Sequence, residues 1–315
     1  MTEPAKETNP EKFEQSLVNE LAKEVLHEQR RNRRWGIFFK GLFALYIFVF
    51  LVIFFVNNTE ISGFSAEKHT ALIEINGVIA ANTEARADFV VSGLRDAFKD
   101  ENTQGIIIRI NSPGGSPVQA GYINDEIKRL REKYPDIPLY AVITDVCASG
   151  GYYIAAAADK IYANRASIVG SIGVIMAGFG FVDAIEKLGI ERRLLHAGKN
   201  KGFMDPFQPL KQNEASHIQG LLDDIHQQFI GVVKDGRGDK LVDDERLFSG
   251  LIWSGQEGIE LGLVDELASA SEVARDVIGA EDIIDFTKRE NYLDRFAKQM
   301  GSAMLQSISN GLNLQ

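Results

Sequence analysis

The chain has 315 residues, 45% of them hydrophobic, which indicates a globular protein with one large or two small domains. Its formal net charge is −10, and residues 1–34 carry seven acidic and seven basic side chains, so the excess negative charge lies in the rest of the chain. An acidic domain argues against nucleic acid as a partner, because phosphate backbones are bound by Lys and Arg.

The N-terminal region predicts a membrane anchor. The run WGIFFKGLFALYIFVFLVIFFV, residues 35–56, is long enough to cross about 30 Å of hydrocarbon, and its one charge, Lys40, lies near its start. A cleaved signal peptide is the alternative, but its apolar core is shorter, about 7–15 residues. An apolar stripe at helical spacing before the run predicts a packing helix: Phe13, Leu17, Leu21 and Val25.

Arginines cluster just before this run, at positions 30, 31, 33 and 34. Positive residues next to a span tend to stay in the cytoplasm, so the rest of the chain should face outward. These boundaries predict five segments: a cytoplasmic segment over 1–34, the transmembrane anchor over 35–56, a linker over 57–70, an extracytoplasmic domain over 71–280 and a C-terminal extension over 281–315.

Strands and helices alternate after the linker, which predicts an α/β fold with parallel strand pairing. We expect strands over 71–80, from 105 into a glycine turn, from 138 to a tight turn at Ser149, and near KIYANR and SIVGSIGVIM. We expect helices over 89–100, up to about 134, from Ser149 through Ala158, over 182–190 and over 210–238. Residues 192–196 should be extended. No repeat is visible, and the last segment has moderate amphipathic character.

The stretch DVCASGGYY places Ser149 between a small residue and two glycines, as an attacking hydroxyl requires. The N–H of Gly150 would point outward at a helix N-terminus, where it could stabilise an oxyanion. A second N–H could come from SPGGS, with Gly114 the first candidate and Gly115 the next, because loops after neighbouring parallel strands converge. The alternative is a helix cap with packing glycines. Cys147 is the only cysteine, so no intrachain disulfide is possible; it is read as a buried core residue, with a reactive thiol as the alternative.

No base for Ser149 is evident in its own segment. All five histidines are read as ordinary surface or partly buried residues: His27, His69, His196, His217 and His226. A lysine could serve instead in an apolar setting, which favours the neutral amine. The loop HAGKNKGFMDPFQPL offers Lys199 and Lys201 beside Phe203, Met204 and Phe207; two solvated loop lysines are the alternative.

Five motifs in this order resemble the signal peptide peptidase A (SppA) family of membrane-anchored Ser-Lys proteases: RINSPGGS, VCASGGYYIAAAADKIYA, GSIGVI, GKNKGFMDPF and IWSGQEGIELGLVDE. The resemblance covers about residues 71–267. It implies a crotonase/Clp protease-like superhelix of β-β-α units, preceded by one transmembrane helix.

The resemblance also implies roles for residues. Ser149 would be the nucleophile, Lys201 the general base with Lys199 a bystander, and Ser171 a supporting hydroxyl on the lysine. Gly150 and Gly114 would supply the oxyanion N–H groups. No cofactor and no metal is expected. Asp205 and Pro206 stand in the lysine motif without an assigned effect.

The implied activity is hydrolysis of cleaved signal peptides or other apolar peptides at the inner (plasma) membrane, with the peptidase domain periplasmic or extracellular. The implied assembly is a homo-oligomer, an octamer among the expected sizes, with serine and lysine from neighbouring protomers. Three alternatives remain: an inactive oligomeric scaffold of the same fold, a SohB-like peptidase with other substrates, and a crotonase-type acyl-CoA enzyme.

Overall fold

The computed structural model describes residues 30–53 and 67–289, and the chain divides into two compact units, residues 1–64 and 65–315. The described part of the first unit is one helix, α1, Arg30–Ile53, which is long and apolar enough to cross a membrane and buries none of its apolar window. This helix fits the predicted single-pass anchor. Residues 54–56 of the predicted span, the stripe over 13–25 and His27 lie outside the described residues.

The second unit is built on one eight-stranded sheet. Its strands are β1 His69–Asn76, β2 Thr103–Ser112, β3 Leu139–Ala148, β4 Lys160–Ala163, β5 Ile168–Gly170, β6 Ile252–Ser254, β7 Glu266–Leu267 and β8 Ile283–Asp285. The main path runs β6-β5-β3-β2-β1-β8, and β4 pairs with both β3 and β7. All pairs are parallel except β5 with β6.

Helices cover both faces, as a parallel sheet buried on two sides requires. They are α2 Ala87–Lys99, α3 Pro117–Lys133, α4 Gly150–Ala155, α5 Val182–Lys187, α6 Gln212–Arg237, α7 Gly255–Glu260 and α8 Ala270–Glu272, which continues as a π-helix over Val273–Ile278. Short 3-10 helices span Gly238–Lys240 and Glu245–Phe248. The larger core packs α2, α3 and α4 on one face, and the smaller core packs α8 and the π-helix on the other.

The strand β3 is shared between two neighbours on one side. Residues 140–143 of β3 pair with β4, and residues 146–148 pair with β5. Ala148 therefore lies opposite Gly170, and the residues that follow these two strands, Ser149 and Ser171, emerge at adjacent positions. This arrangement confirms the predicted α/β class.

Some element boundaries differ from the predictions. The first strand ends at Asn76 rather than residue 80, because Gly77 takes a φ of +78° and turns the chain. The helix α4 ends at Ala155 rather than Ala158, where the backbone tightens into three-residue turns before β4. The strand predicted over 167–176 stops at Gly170, because Ser171 has a φ of +52°.

The late part of the chain completes the sheet. Residues 283–285, within the predicted C-terminal extension, pair with β1 as its outer neighbour. At the other end of the chain, His69 and Thr70, the last residues of the predicted linker, already belong to β1.

Candidate active site

Ser149 occupies a strained turn between β3 and α4. Its φ of +52° and ψ of −120° are unusual for a residue with a side chain, and such backbone strain costs about 1–3 kcal/mol. Two backbone hydrogen bonds hold the turn: the Ser149 N–H donates to the Gly170 carbonyl at 2.9 Å, and the Tyr153 N–H donates to the Ser149 carbonyl at 2.9 Å. The Ser149 hydroxyl does not cap α4, so the helix-cap alternative does not explain this serine.

The glycine loop after β2 lies directly against this turn. A Cβ built on Gly114, whose φ is +100°, would lie 2.7 Å from the Ser149 Cβ and 2.7 Å from the Gly150 nitrogen. A Cβ on Gly115 would lie 2.1 Å from the Ile79 carbonyl oxygen. Only glycines fit here, because a side chain at either position would collide with the Ser149 turn or with the Ile79 backbone.

Three backbone N–H groups of this region differ in their partners. The Gly114 N–H donates to the Ser112 hydroxyl at 3.1 Å. The N–H groups of Gly150 and Gly115 donate no hydrogen bond to any residue in the described ranges. A Cβ built on Gly150 would lie 3.3 Å from the Gly115 nitrogen, so these two free donors are close together.

Ser112, which was not among the residues predicted for the site, organises this loop. It is 1% exposed, and its hydroxyl donates to the Gly77 carbonyl at 2.6 Å while it accepts from Gly114. The available signal was its position two residues before the glycine pair. One side chain thus connects the turn after β1 with the glycine loop after β2.

Ser171 follows β5 next to the Ser149 turn. Its φ is +52°, and its N–H donates to the Leu251 carbonyl at 2.7 Å. The ring of His226, on α6, has Nε2 3.1 Å from the Ile172 carbonyl oxygen, which fixes the chain just after Ser171.

Cys147 is fully buried, as predicted, and burial raises the pKa of its thiol. The raised pKa disfavours the thiolate, which is the reactive form of cysteine. The reactive-thiol alternative is therefore wrong.

Lys201 and Lys199 lie in an exposed loop that precedes α6. The Lys201 ammonium makes no hydrogen bond or ion pair with the described residues, Ser149 included. Its predicted apolar neighbours are present but partly exposed: Met204 is 39% exposed and Phe207 36% exposed. Within one chain, Ser149 and Ser171 thus lie at neighbouring positions beside Gly114 and Gly150. Lys201 makes no hydrogen bond with this group among the described residues.

The described histidines all have other surroundings. His69 is fully buried at the start of β1 beside Thr103, which makes it a core residue rather than the surface or partly buried residue expected. The His196 Nδ1 lies 3.0 Å from the Gly198 carbonyl oxygen, and His217 packs edge-on against Phe203. Within residues 30–53 and 67–289, no histidine hydrogen-bonds to Ser149, and no group of three metal-ligating side chains occurs.

Comparison with known proteins defines the class to which this fold and site belong. The model of peptidase family S49 matches residues 131–282, which include the Ser149 turn and the Lys201 loop. A candidate protease of Synechocystis sp. is 34% identical over 208 residues, with 66% of this chain and 73% of that protein covered. The chain belongs to peptidase family S49, a family of serine peptidases with a Clp protease-like fold.

Two further relatives extend the comparison. A candidate signal peptide peptidase SppA of Enterococcus faecium is 30% identical over 237 residues, covering 73% of this chain and 65% of that protein. A protein of Brucella abortus named Na(+)/H(+) antiporter NhaA is 44% identical over 186 residues, covering 59% of this chain and 25% of that protein. The chain spans less than two thirds of either of these relatives. The SppA-family resemblance drawn from the motifs is confirmed.

Proposed function

We propose that this chain is a membrane-anchored serine endopeptidase that uses Ser149 as nucleophile and Lys201 as general base. The observation that carries the proposal is the Ser149 turn. Its backbone is strained, its hydroxyl does not cap α4, and the free N–H groups of Gly150 and Gly115 lie beside it. Strained backbone of this kind concentrates at functional sites, where the surrounding structure holds it in place.

The mechanism is acyl transfer. The Ser149 oxygen bonds to a peptide carbonyl carbon while the neutral amine of Lys201 takes the hydroxyl proton, and Ser171 supports that amine. The negative charge on the carbonyl oxygen is stabilised by the Gly150 N–H and a donor from the glycine loop. Lys201 then gives its proton to the leaving amine as the peptide bond breaks, and water hydrolyses the acyl-enzyme.

Gly115 is the better second oxyanion donor on this geometry. The Gly114 N–H, the first candidate from the sequence, is already engaged by Ser112, whereas the Gly115 N–H is free and close to Gly150. The role of Gly114 is then steric, since a side chain there would collide with Ser149.

Lys201 reaches Ser149 from a neighbouring copy of the chain in this proposal. Two observations support it: the Lys201 ammonium has no hydrogen-bond or ion-pair partner among the described residues, and residues 175–210 present many exposed apolar side chains. Those at least half exposed are Ile175, Met176, Phe179, Leu188, Ile190, Leu195 and Leu210. Apolar patches of this kind mark protein–protein contacts, which fits a homo-oligomer such as an octamer with active sites at protomer interfaces.

The substrates we propose are cleaved signal peptides and other apolar peptides held at the membrane. An anchor through α1 would raise the effective concentration of such peptides near the site. The arginines at its start favour a cytoplasmic N-terminus, with the peptidase domain outside the inner (plasma) membrane. A SohB-like peptidase would share this mechanism and differ in substrate.

Mixing two inactive variants tests the proposal. Ser149→Ala and Lys201→Ala proteins are each expected to be inactive on an apolar peptide, and mixed oligomers of the two should regain part of the wild-type rate. Differently tagged subunits recovered together verify that mixing occurred. Verified mixed oligomers without activity would refute the interface site, and an inert wild type would favour the scaffold alternative.

A further inference from the structure

The loop that carries Lys201 is ordered by contacts within its own chain. It begins with a tight turn at Gly198, whose φ is +99° and whose carbonyl accepts a hydrogen bond from the Lys201 N–H at 3.0 Å. Gly202 packs closely on the preceding segment, since a Cβ there would lie 2.7 Å from the Leu194 side chain. The backbone next to the lysine is therefore held by Gly198 before it and by Gly202 after it.

A carboxylate from α6 fixes the loop after the lysine, at Met204. Met204, three residues after Lys201, has a φ of +58°, which is uncommon for a residue other than glycine. The Met204 N–H donates to Glu214 Oε2 at 3.1 Å, and Glu214 lies in the first turn of α6 with a side chain only 12% exposed. Its other oxygen, Oε1, lies 3.2 Å from the Lys211 ammonium. The hydrogen bond from Met204 is the main cause that lowers the pKa of Glu214.

A second carboxylate, that of Asp205, ties the next part of the loop to the segment that precedes it. Asp205, which is 5% exposed, accepts a hydrogen bond from Arg192 Nε at 3.1 Å and another from the Phe207 N–H at 3.0 Å. Arg192 belongs to the segment between α5 and the loop, which forms no strand. Consecutive residues of the loop are thus tied to α6 on one side and to this segment on the other.

We infer that Glu214 is a positioning residue for Lys201, with Asp205 as a second tether of the same loop. By holding Met204 in its left-handed conformation, Glu214 fixes the direction in which the Lys201 side chain leaves the loop before any other copy of the chain is met. Relaxation of Met204 to a negative φ would turn the backbone and move the lysine relative to its serine. This inference rests on the proposed function, because it assigns a role toward the Lys201 amine.

The size of the effect follows from the geometry of proton transfer. A displacement of about 1 Å in a reacting group can lower the rate about 100-fold. We expect Glu214→Ala to lower kcat on an apolar peptide about 10- to 100-fold and to leave KM within about twofold, because Glu214 does not touch the substrate. Asp205→Ala should act in the same direction.

Two matched variants separate the positioning role of Glu214 from loss of its charge or of the fold. Glu214→Gln keeps an acceptor oxygen for the Met204 N–H, so its kcat should stay within about threefold of wild type. Lys211→Met removes the ion pair of Glu214 without touching that hydrogen bond and should leave kcat unchanged.

The experiment is steady-state hydrolysis by the full-length, detergent-solubilised oligomer, with thermal unfolding measured for each variant. Wild-type kcat in Glu214→Ala, or an equal loss of kcat in Glu214→Gln and Glu214→Ala, would each overturn the inference. The proposed function fails on a different result, namely wild-type activity in Lys201→Ala.

Discussion

Gly114→Ala should damage both the stability and the activity of the protein, because its new methyl group has no room. The Cβ would lie 2.7 Å from the Gly150 nitrogen, 2.7 Å from the Ser149 Cβ and 2.8 Å from the Ala148 oxygen, all shorter than real Cβ contacts. Forcing a side chain into a packed site costs about 1–3 kcal/mol, and the φ of +100° adds about 1–3 kcal/mol. The sum, about 4 kcal/mol, corresponds to a fall in Tm of roughly 10 °C for a domain of this size.

Gly279→Ala is the matched control for this variant. Gly279 has a φ of +80° and nothing within 4 Å of a built Cβ. Alanine there strains the backbone but does not collide with neighbouring atoms. Its Tm should fall by only a few degrees, and its active site should remain intact.

Two assays read the outcome: thermal unfolding of the detergent-solubilised protein, and labelling by a fluorophosphonate that reacts with activated serines. Gly114→Ala should lose labelling as well as Tm, whereas Gly279→Ala should label at the wild-type rate. Wild-type labelling of a folded Gly114→Ala protein would refute the role of the glycine loop in shaping the Ser149 site.

Four further predictions follow from buried groups. Ser112→Ala leaves the buried Gly114 N–H unpaired, which should lower stability by about 1–3 kcal/mol in thermal unfolding and slow fluorophosphonate labelling; Ser249→Ala, at an exposed hydroxyl, is its control. Asp265→Ala strands Arg237, which is 1% exposed, and should cost about 3–5 kcal/mol, whereas Asp276→Ala at an exposed ion pair should change Tm little. Hydrogen bonds from Arg129 and Arg95 lower the pKa of Glu126 from 4.5 to about 2, so its contribution to stability is present above pH 4.5 and is lost as the pH falls toward 2. Equal acid sensitivity of wild type and Glu126→Gln would contradict that link. Buried Cys147 should resist maleimide until the protein unfolds, and rapid modification of native protein would contradict its burial.

The long elements could be predicted from the sequence because their patterns are local. The strands β1, β2 and β3 are apolar runs that end at glycine or Ser149 turns, and α2, α3 and α6 repeat apolar residues at helical spacing. The elements β6, β7 and β8 have two or three residues each, too few to show any period. They are strands only because of the neighbours with which they pair, as β8 does with β1.

The residues of the candidate site also divide into those that a local sequence pattern predicts and those that depend on the folded structure. The small-Ser-Gly-Gly run predicted the turn at Ser149, because a tight strand-to-helix turn needs those small residues at those positions. The roles of Ser112 and Glu214 were not predictable, since each depends on a hydrogen bond to a backbone N–H set by the folded loop. The choice of Lys201 came from the family resemblance, because no local sequence pattern relates a loop lysine to a serine about fifty residues earlier.

Identification of the labelled residue tests the central claim most directly. Wild type, Ser149→Ala and Lys201→Ala would each be treated with a fluorophosphonate between about pH 6 and 10, and the site of modification would be found by peptide mass spectrometry. The account predicts modification of Ser149 in wild type and no modification in either variant. An assembled wild type that stays unlabelled, a label on another residue, or a Lys201→Ala protein that reacts at the wild-type rate would contradict it.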